Sequence, residues 1–379
     1  MIYLDNAATS FPKPSCVTEE VVKCMLEYCA NPGRSAHKMA LKAQEEVFNC
    51  RCKICDIFGL DNPENIIFTL NATQALNIVI KGILNKKSHA IITSMEHNSV
   101  MRPLADTGCE YDVLFADSSG YTDAAHLEKL IKPNTALIIC TLSSNVCGSV
   151  QPFKEFCAIA NKNGIPFLLD ASQGGGAVKI DMKKIGIDFL ALPGHKGLLG
   201  PIGTGVLCVN SNRDLKPIIL GGTGSMSKLL VQPDFLPDKL ESGTLNVSGI
   251  AGLSKAIDYI KDIGQDEILY EENKLINTLA QKLSCIRGVR IWGYDQKRPR
   301  TSVLSFTLDG IDAMILSGRL SIEYDIATRA GFHCAYTAHK SIGTDTTGTV
   351  RVSAGVFNTL DDIEKTACAI QEIALQQMT

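Results

Sequence analysis

Residues 187–209 read IDFLALPGHKGLLGPIGTGVLCV: two short apolar runs, IDFLAL and GTGVLCV, either side of a glycine-rich loop that carries Lys196. Runs this short are strand-like, and the chain upstream repeats the theme. NIIFTL (65–70) is followed by a helical pattern from Thr73, HAIITS (89–94) by one near Ser99, and TALIICTLSS (135–144) by one from Phe153. IPFLLD (165–170) is a further strand-like run. Strands alternating with amphipathic helices predict an α/β fold, a mostly parallel sheet with helices on both faces. Such sheets bind their ligands at the carboxyl ends of the strands.

Polar residues collect at those ends: Thr69, Asn71 and Thr73 after the first run, Glu96 and His97 after the second. Ser143, Ser144 and Asn145 follow the third, and Asp170 and Gln173 the fourth. The N-terminal part, from Ser15 to about Leu60, is helical with a break at ANPGR, where Pro32 and Gly33 punctuate it. Beyond about Ile260 the pattern changes to a long helix, strands near GVRIWG, SVLSFTL and GTVRVSAG, and a last helix from Thr359. This predicts a large domain over residues 15–257. A smaller α+β domain is expected from residues 1–14 and 258–379.

Composition narrows the class. The chain has 379 residues, 45% apolar and 20% charged, with a formal net charge of −3 and no run of like charges. Neither nucleic acid nor an anionic membrane is indicated as a partner. The start, MIYLDNAATSFPKPS, lacks a basic segment followed by an apolar stretch, and no apolar run is long enough to span a bilayer. A cytoplasmic protein is expected. Its fourteen cysteines then read as thiols rather than a disulfide framework. Cys50, Cys52 and Cys55 cluster in NCRCKICDIFG, but on a continuing helical pattern without a fourth ligand, so no metal is assigned.

Lys196 sits between Gly194 and Gly197, and a lysine in a partly desolvated loop has a lowered pKa and can form a Schiff base. Asp170, at a strand terminus, is the kind of carboxylate that pairs with the pyridinium nitrogen of pyridoxal phosphate. Ala72 and Thr73 open a helix whose free N–H groups suit a phosphate. Cys334, in RAGFHCA, stands outside any regular pattern and is read as an accessible thiol.

These segments resemble the cysteine desulfurases among the class V, fold-type I pyridoxal-phosphate enzymes. The resemblance rests on YLDNAAT (3–9), NPGRSAH (31–37), NAT (71–73), EHNS (96–99), SNVCG (144–148), DASQ (170–173) and the GHKG loop. It continues through ESGTLN (241–246), RAGFHCA (329–335) and VRVSAGVFNT (350–359), in the family's order. It implies a large domain with a seven-stranded type of sheet, and Lys196 as the Schiff-base lysine with His195 beside the phosphate. It also implies Asp170 on the ring nitrogen, Gln173 on the phenolic oxygen and His97 stacked on the ring. Ala72 and Thr73 would bind phosphate, and Thr244 would reach the partner's phosphate in a homodimer. Asn145 and Arg351 would hold the substrate carboxylate, with Ala7 and Ala8 lining the site. Cys334 would take sulfur from L-cysteine as a persulfide and pass it to an acceptor protein.

Pro193, Leu245, Cys147 and Phe332 depart from the family's usual residues, and Tyr336 lies near the last of them without an assigned role. The alternatives are a selenocysteine lyase acting on L-selenocysteine, a class V aminotransferase, and a non-catalytic protein on the same scaffold.

Overall fold

The computed structural model describes residues 1–33 and 36–378; Arg34 and Ser35 of the NPGRSAH stretch lie outside the described residues. The chain opens with β1 (Ile2–Tyr3), then α1 (Ser15–Glu27) and α2 (Lys38–Phe58), either side of the break at Pro32 and Gly33. There follow β2 (Ile66–Thr69), α3 (Ala72–Ile83), β3 (His89–Thr93), α4 (Asn98–Thr107), β4 (Glu110–Leu114) and β5 (Thr135–Thr141). Next come α5 (Phe153–Lys162), β6 (Phe167–Asp170), α6 (Met182–Ile185), β7 (Phe189–Pro193), β8 (Gly205–Val209) and α7 (Val247–Ile263).

Seven of these strands form one sheet in the order β2-β8-β7-β6-β5-β3-β4. Only β8 runs against its neighbours; every other pairing is parallel. The sheet is mostly parallel, as expected for this class. Successive residues feed opposite cores: Ile66, Ile138 and Leu190 pack with α2 and α7, whereas Ile67, Ile139 and Ala191 pack with α3 and α4. Burial on both faces explains why the strands read as continuous apolar runs. Cys50 and Cys55 of α2 belong to the first of these cores, and burial pushes the Cys55 thiol up to about 11.

The remaining elements are α8 (Gln265–Ser284), β9 (Val289–Trp292), β10 (Val303–Leu308), α9 (Ala313–Tyr324), β11 (Ile326–Ala327), β12 (Arg329–Gly331), α10 (Tyr336–Ile342), β13 (Thr349–Ser353) and α11 (Leu360–Met378). β12-β13-β10-β9 make an antiparallel sheet, and β1 pairs in parallel with β11. Leu4 joins the core of this second sheet, which ties the first residues of the chain to the last third. Among the described residues no helix is long and apolar enough to cross a membrane.

The long segment between β8 and α7 is anchored by a buried ion pair. Arg51 of α2 meets Glu241 at 2.5 Å, and the same carboxylate accepts from the Phe68 amide at 2.6 Å. Removing one member of a buried pair strands the other, so Glu241→Ala is expected to lower stability by about 3–5 kcal/mol. A denaturant midpoint unchanged from wild type would contradict this.

Candidate functional site

The carboxyl ends of the parallel strands bring the site together. Asn71 ends the turn after β2 and caps α3, its side chain accepting from Gln74 N at 2.9 Å. This leaves the Ala72 and Thr73 amides at the helix N-terminus, where an anion is favoured. After β3, His97 caps α4: its Nδ1 accepts from the Ser99 amide at 3.0 Å. Nδ1 is therefore unprotonated, and the neutral ring carries its hydrogen on Nε2. Burial, reinforced by Lys196 and Arg351 against the pull of Asp170, holds this imidazole below its ordinary pKa. Ser99 Oγ lies 2.9 Å from His97 Nδ1 and 2.8 Å from Thr73 Oγ1, joining the two elements.

Asp170 ends β6 and is almost fully buried. Its Oδ1 accepts from the amide and the hydroxyl of Ser172, at 2.9 and 2.5 Å. Oδ2 has no hydrogen bond among the described residues, so one oxygen remains for a cationic ring nitrogen. Lys196 follows β7, and burial lowers its pKa to about 8, with Asp170 opposing and Arg351 and Arg329 adding to the effect. His195 is lowered to about 4, chiefly by burial, and its Nδ1 is buried without a partner. Its carbonyl collects donors from the N-terminal segment, among them Ser10 N at 3.0 Å and Lys13 Nζ at 2.8 Å.

A cavity of about 90 Å³ contains Ala72, Thr73, His97, Asn145, Gln173 and Lys196 on its wall. A neighbouring cavity of about 490 Å³ has Cys334 on its wall, and Thr73, His97 and Ser99 line both. The cavity that Lys196 lines and the cavity that Cys334 lines therefore share His97. An amine near neutrality, a buried carboxylate, an imidazole and a helix N-terminus make a donor set that suits an aromatic aldehyde bearing a phosphate.

The small sheet meets this site at a further cavity of about 50 Å³, lined by Ala7, Gln173 and Lys196 together with Val303 and Ser353. Arg351, in the middle of β13 and 2% exposed, donates from Nη1 to the Asn145 carbonyl at 3.0 Å. Nη2 donates to Asp5 Oδ1 at 2.8 Å, while Nε is buried without a partner. Asp5 is a residue that sequence reasoning missed. Its carboxylate already holds the fork expected to take a substrate carboxylate, and Arg329 approaches its other oxygen at 3.5 Å. Gln173 Nε2 donates to the Ala7 carbonyl at 2.8 Å, and the Ala7 amide donates to Ser353 Oγ at 2.8 Å. Ala8 lies on the same turn, its amide donating to the Asp5 carbonyl at 3.0 Å.

Thr244 stands apart. It is exposed and borders a separate cavity of about 990 Å³ with Arg51, Glu241 and residues 222–225, which contains neither Lys196 nor Cys334. Pro193 ends β7 with its carbonyl side toward the lysine loop, and Leu245 borders the same cavity as Thr244.

Comparison with known proteins agrees with this picture. The model of the family described as "Aminotransferase class-V" matches residues 2–366. A protein of Methanothermobacter thermautotrophicus described as "Probable cysteine desulfurase" is 35% identical, over 98% of this chain and 94% of its own length. One of Halalkalibacterium halodurans with the same description is 32% identical, over 98% and 93%. Among solved structures, the apo cysteine desulfurase of Thermococcus onnurineus superposes with a TM-score of 0.91 at 30% identity, covering 99% of this chain and 95% of that one. The Escherichia coli cysteine desulfurase CsdA gives 0.87 at 28%, covering 99% and 94%.

Proposed function

The chain belongs to the class-V aminotransferase family, and from that premise we propose that it is a cysteine desulfurase converting L-cysteine to L-alanine with Cys334 as the sulfur acceptor. The observation that carries this reading is that the cavity lined by Lys196 and the cavity lined by Cys334 share His97. An aminotransferase has no use for a thiol at that place.

The donor set fits pyridoxal phosphate. Lys196 would hold its aldehyde carbon, Asp170 its ring nitrogen and Gln173 its phenolic oxygen. The Ala72 and Thr73 amides, the Thr73 hydroxyl and His195 would hold its phosphate. When bound, the cofactor supplies an electron sink for the charge left at the substrate Cα. Lys196 is the base for the Cα proton, since a lysine lowered to about 8 exchanges protons near neutral pH. Arg351 and Asn145 orient the substrate carboxylate, and the neutral His97, with its hydrogen on Nε2, lines the same cavity as Lys196. In balance, L-cysteine and the Cys334 thiol give L-alanine and a Cys334 persulfide, with no external oxidant. The Cys334 thiolate is the attacking form.

A homodimer is part of the proposal. The segment that borders the large cavity beside Thr244 also carries exposed Leu220, Leu229, Leu230 and Val231. In this arrangement Thr244 serves the second subunit's phosphate, and a further protein accepts the sulfur from Cys334.

The lysine assignment predicts a pH dependence for apo-protein mixed with pyridoxal phosphate. The free amine reacts and the ammonium does not, so the rate should rise with pH and be half-maximal near the Lys196 value of about 8. A rate still climbing toward the ordinary lysine value of ~10.4 would contradict it. Release of alanine from L-cysteine by the loaded enzyme tests the activity itself; the keto acid of cysteine, 3-mercaptopyruvate, in its place would favour transamination.

A further inference from the structure

Cys334 is carried by four residues, 332–335, between β12 and α10. The Phe332 carbonyl accepts from the Ala335 amide at 2.9 Å, and the two central residues, His333 and Cys334, have φ of +50° and +57°. Positive φ at both central positions marks a mirror-image turn, which Gly, Asn and Asp usually fill. A residue with a Cβ is disfavoured there by ~1–2 kcal/mol. The turn must therefore be held from outside.

Two hydrogen bonds to the carbonyls of the turn do part of this. Asn98 N donates to the Cys334 carbonyl at 2.8 Å, and Asn145 Nδ2 donates to the His333 carbonyl at 2.7 Å. The third hold is a buried side-chain series. His333 Nδ1 lies 3.2 Å from His339 Nε2, with ring planes 15° apart. His339 Nδ1 lies 2.7 Å from Thr344 Oγ1, and both His339 and Thr344 are fully buried. His339 is on α10 and Thr344 just past its Gly343 cap, so the series ties the turn to the far end of the next helix.

The facing charges show what this series is for. His333 is acted on by Arg351, Arg329 and His339, and His339 by Asp345; burial is the largest influence on both rings. With His339 lowered to about 4 and His333 lower still, both are neutral at physiological pH. Neutral rings can pass one hydrogen bond each along Thr344, His339 and His333, and this orients the rings without placing a charge beside Arg351.

We propose that the buried His333–His339–Thr344 series is a positioning device for sulfur acceptance, clamping the left-handed turn so that Cys334 faces the cavity it shares with His97. The inference rests on the desulfurase reading for its purpose, though the clamp itself can be tested without turnover. His339 touches neither substrate nor cofactor; it acts through His333.

The test compares the loaded wild-type enzyme with His339→Phe, His339→Gln and Thr344→Val. His339→Phe keeps the ring and removes both nitrogens, while His339→Gln restores a donor and an acceptor. His339→Phe should slow first-turnover sulfur uptake on Cys334 by about tenfold to a hundredfold. The KM for L-cysteine should stay within about twofold, because Arg351 and Asn145 are untouched. The cofactor absorbance should also be unchanged, and His339→Gln should recover most of the rate. Equal uptake by wild type and His339→Phe overturns the proposal, as does a Gln variant as slow as Phe. Should His339→Phe fail to fold, Thr344→Val, which exchanges only a hydroxyl for a methyl, is read by the same criterion. Alkylation of Cys334 by iodoacetamide separates this from the underlying activity. A wild type that releases no alanine sinks the desulfurase reading, whereas an alkylation rate identical in all four proteins sinks the clamp.

Discussion

Lys196→Ala is expected to lower alanine release from L-cysteine by ~10⁴-fold or more while leaving the fold intact. Two functions disappear together, covalent attachment of the cofactor and removal of the Cα proton. The amine pays for burial in its own protonation equilibrium, as its pKa of about 8 shows, so deleting it removes a desolvation cost rather than a stabilising contact. The Lys196 backbone is held separately: its carbonyl accepts from Leu199 N at 2.8 Å, and Gly194 and Gly200 close the same loop. The thermal midpoint should therefore match wild type, and the purified variant should lack the absorbance of a lysine Schiff base. Lys196→Arg should be equally inactive, since a guanidinium is not deprotonated in proteins. Turnover by either variant within tenfold of wild type would remove Lys196 from the chemistry.

Cys334→Ser is expected to lower L-cysteine turnover by at least about a hundredfold, with KM little changed. The hydroxyl is close in size and keeps the turn, so the loss falls on attack at the substrate sulfur. Arg351 and Asn145, the residues proposed to hold the carboxylate, keep their bonds to Asp5 and His333. The same variant should retain turnover of L-selenocysteine, whose chalcogen can leave without a thiol acceptor. Comparing the native rates on the two substrates then decides between desulfurase and selenocysteine lyase. Full L-cysteine activity in Cys334→Ser would assign Cys334 to structure alone.

The alternation of strands and helices was legible because strands buried on both faces must be apolar throughout. It did not extend to β4, whose residues EYDVL are largely solvent-facing at the sheet edge and carry too little apolar signal. Nor did local pattern disclose that β8 runs backwards, because direction depends on the connection and not on the residues of the strand. Lys196, Asp170, His97 and Thr73 were recognisable as strand-end residues. Asp5 was not, since its tie to Arg351 joins positions at opposite ends of the chain. Ser99 stood inside the quoted EHNS segment, and only the fold shows it bridging Thr73 and His97.

The cysteine at RAGFHCA is the most changed by the structure. Sequence suggested an accessible thiol outside any regular pattern, and Cys334 is indeed exposed. Its backbone is a tight turn with three external holds. His333 and His339, six residues apart, form one buried pair because α10 brings the second ring back over the turn. Phe332 and Tyr336 meet edge to face at 5.7 Å, and Phe332 meets His339 in the same way at 5.5 Å. Phe332 thus packs on the clamp, and Tyr336 packs on Phe332.

The most direct measurement is a single turnover of the loaded enzyme with L-cysteine, with alanine quantified and the Cys334 peptide weighed by mass spectrometry without reductant. The account predicts alanine and one added sulfur on Cys334 in equal amounts, the sulfur removed by reductant. Alanine formed while the Cys334 peptide gains no sulfur would contradict it.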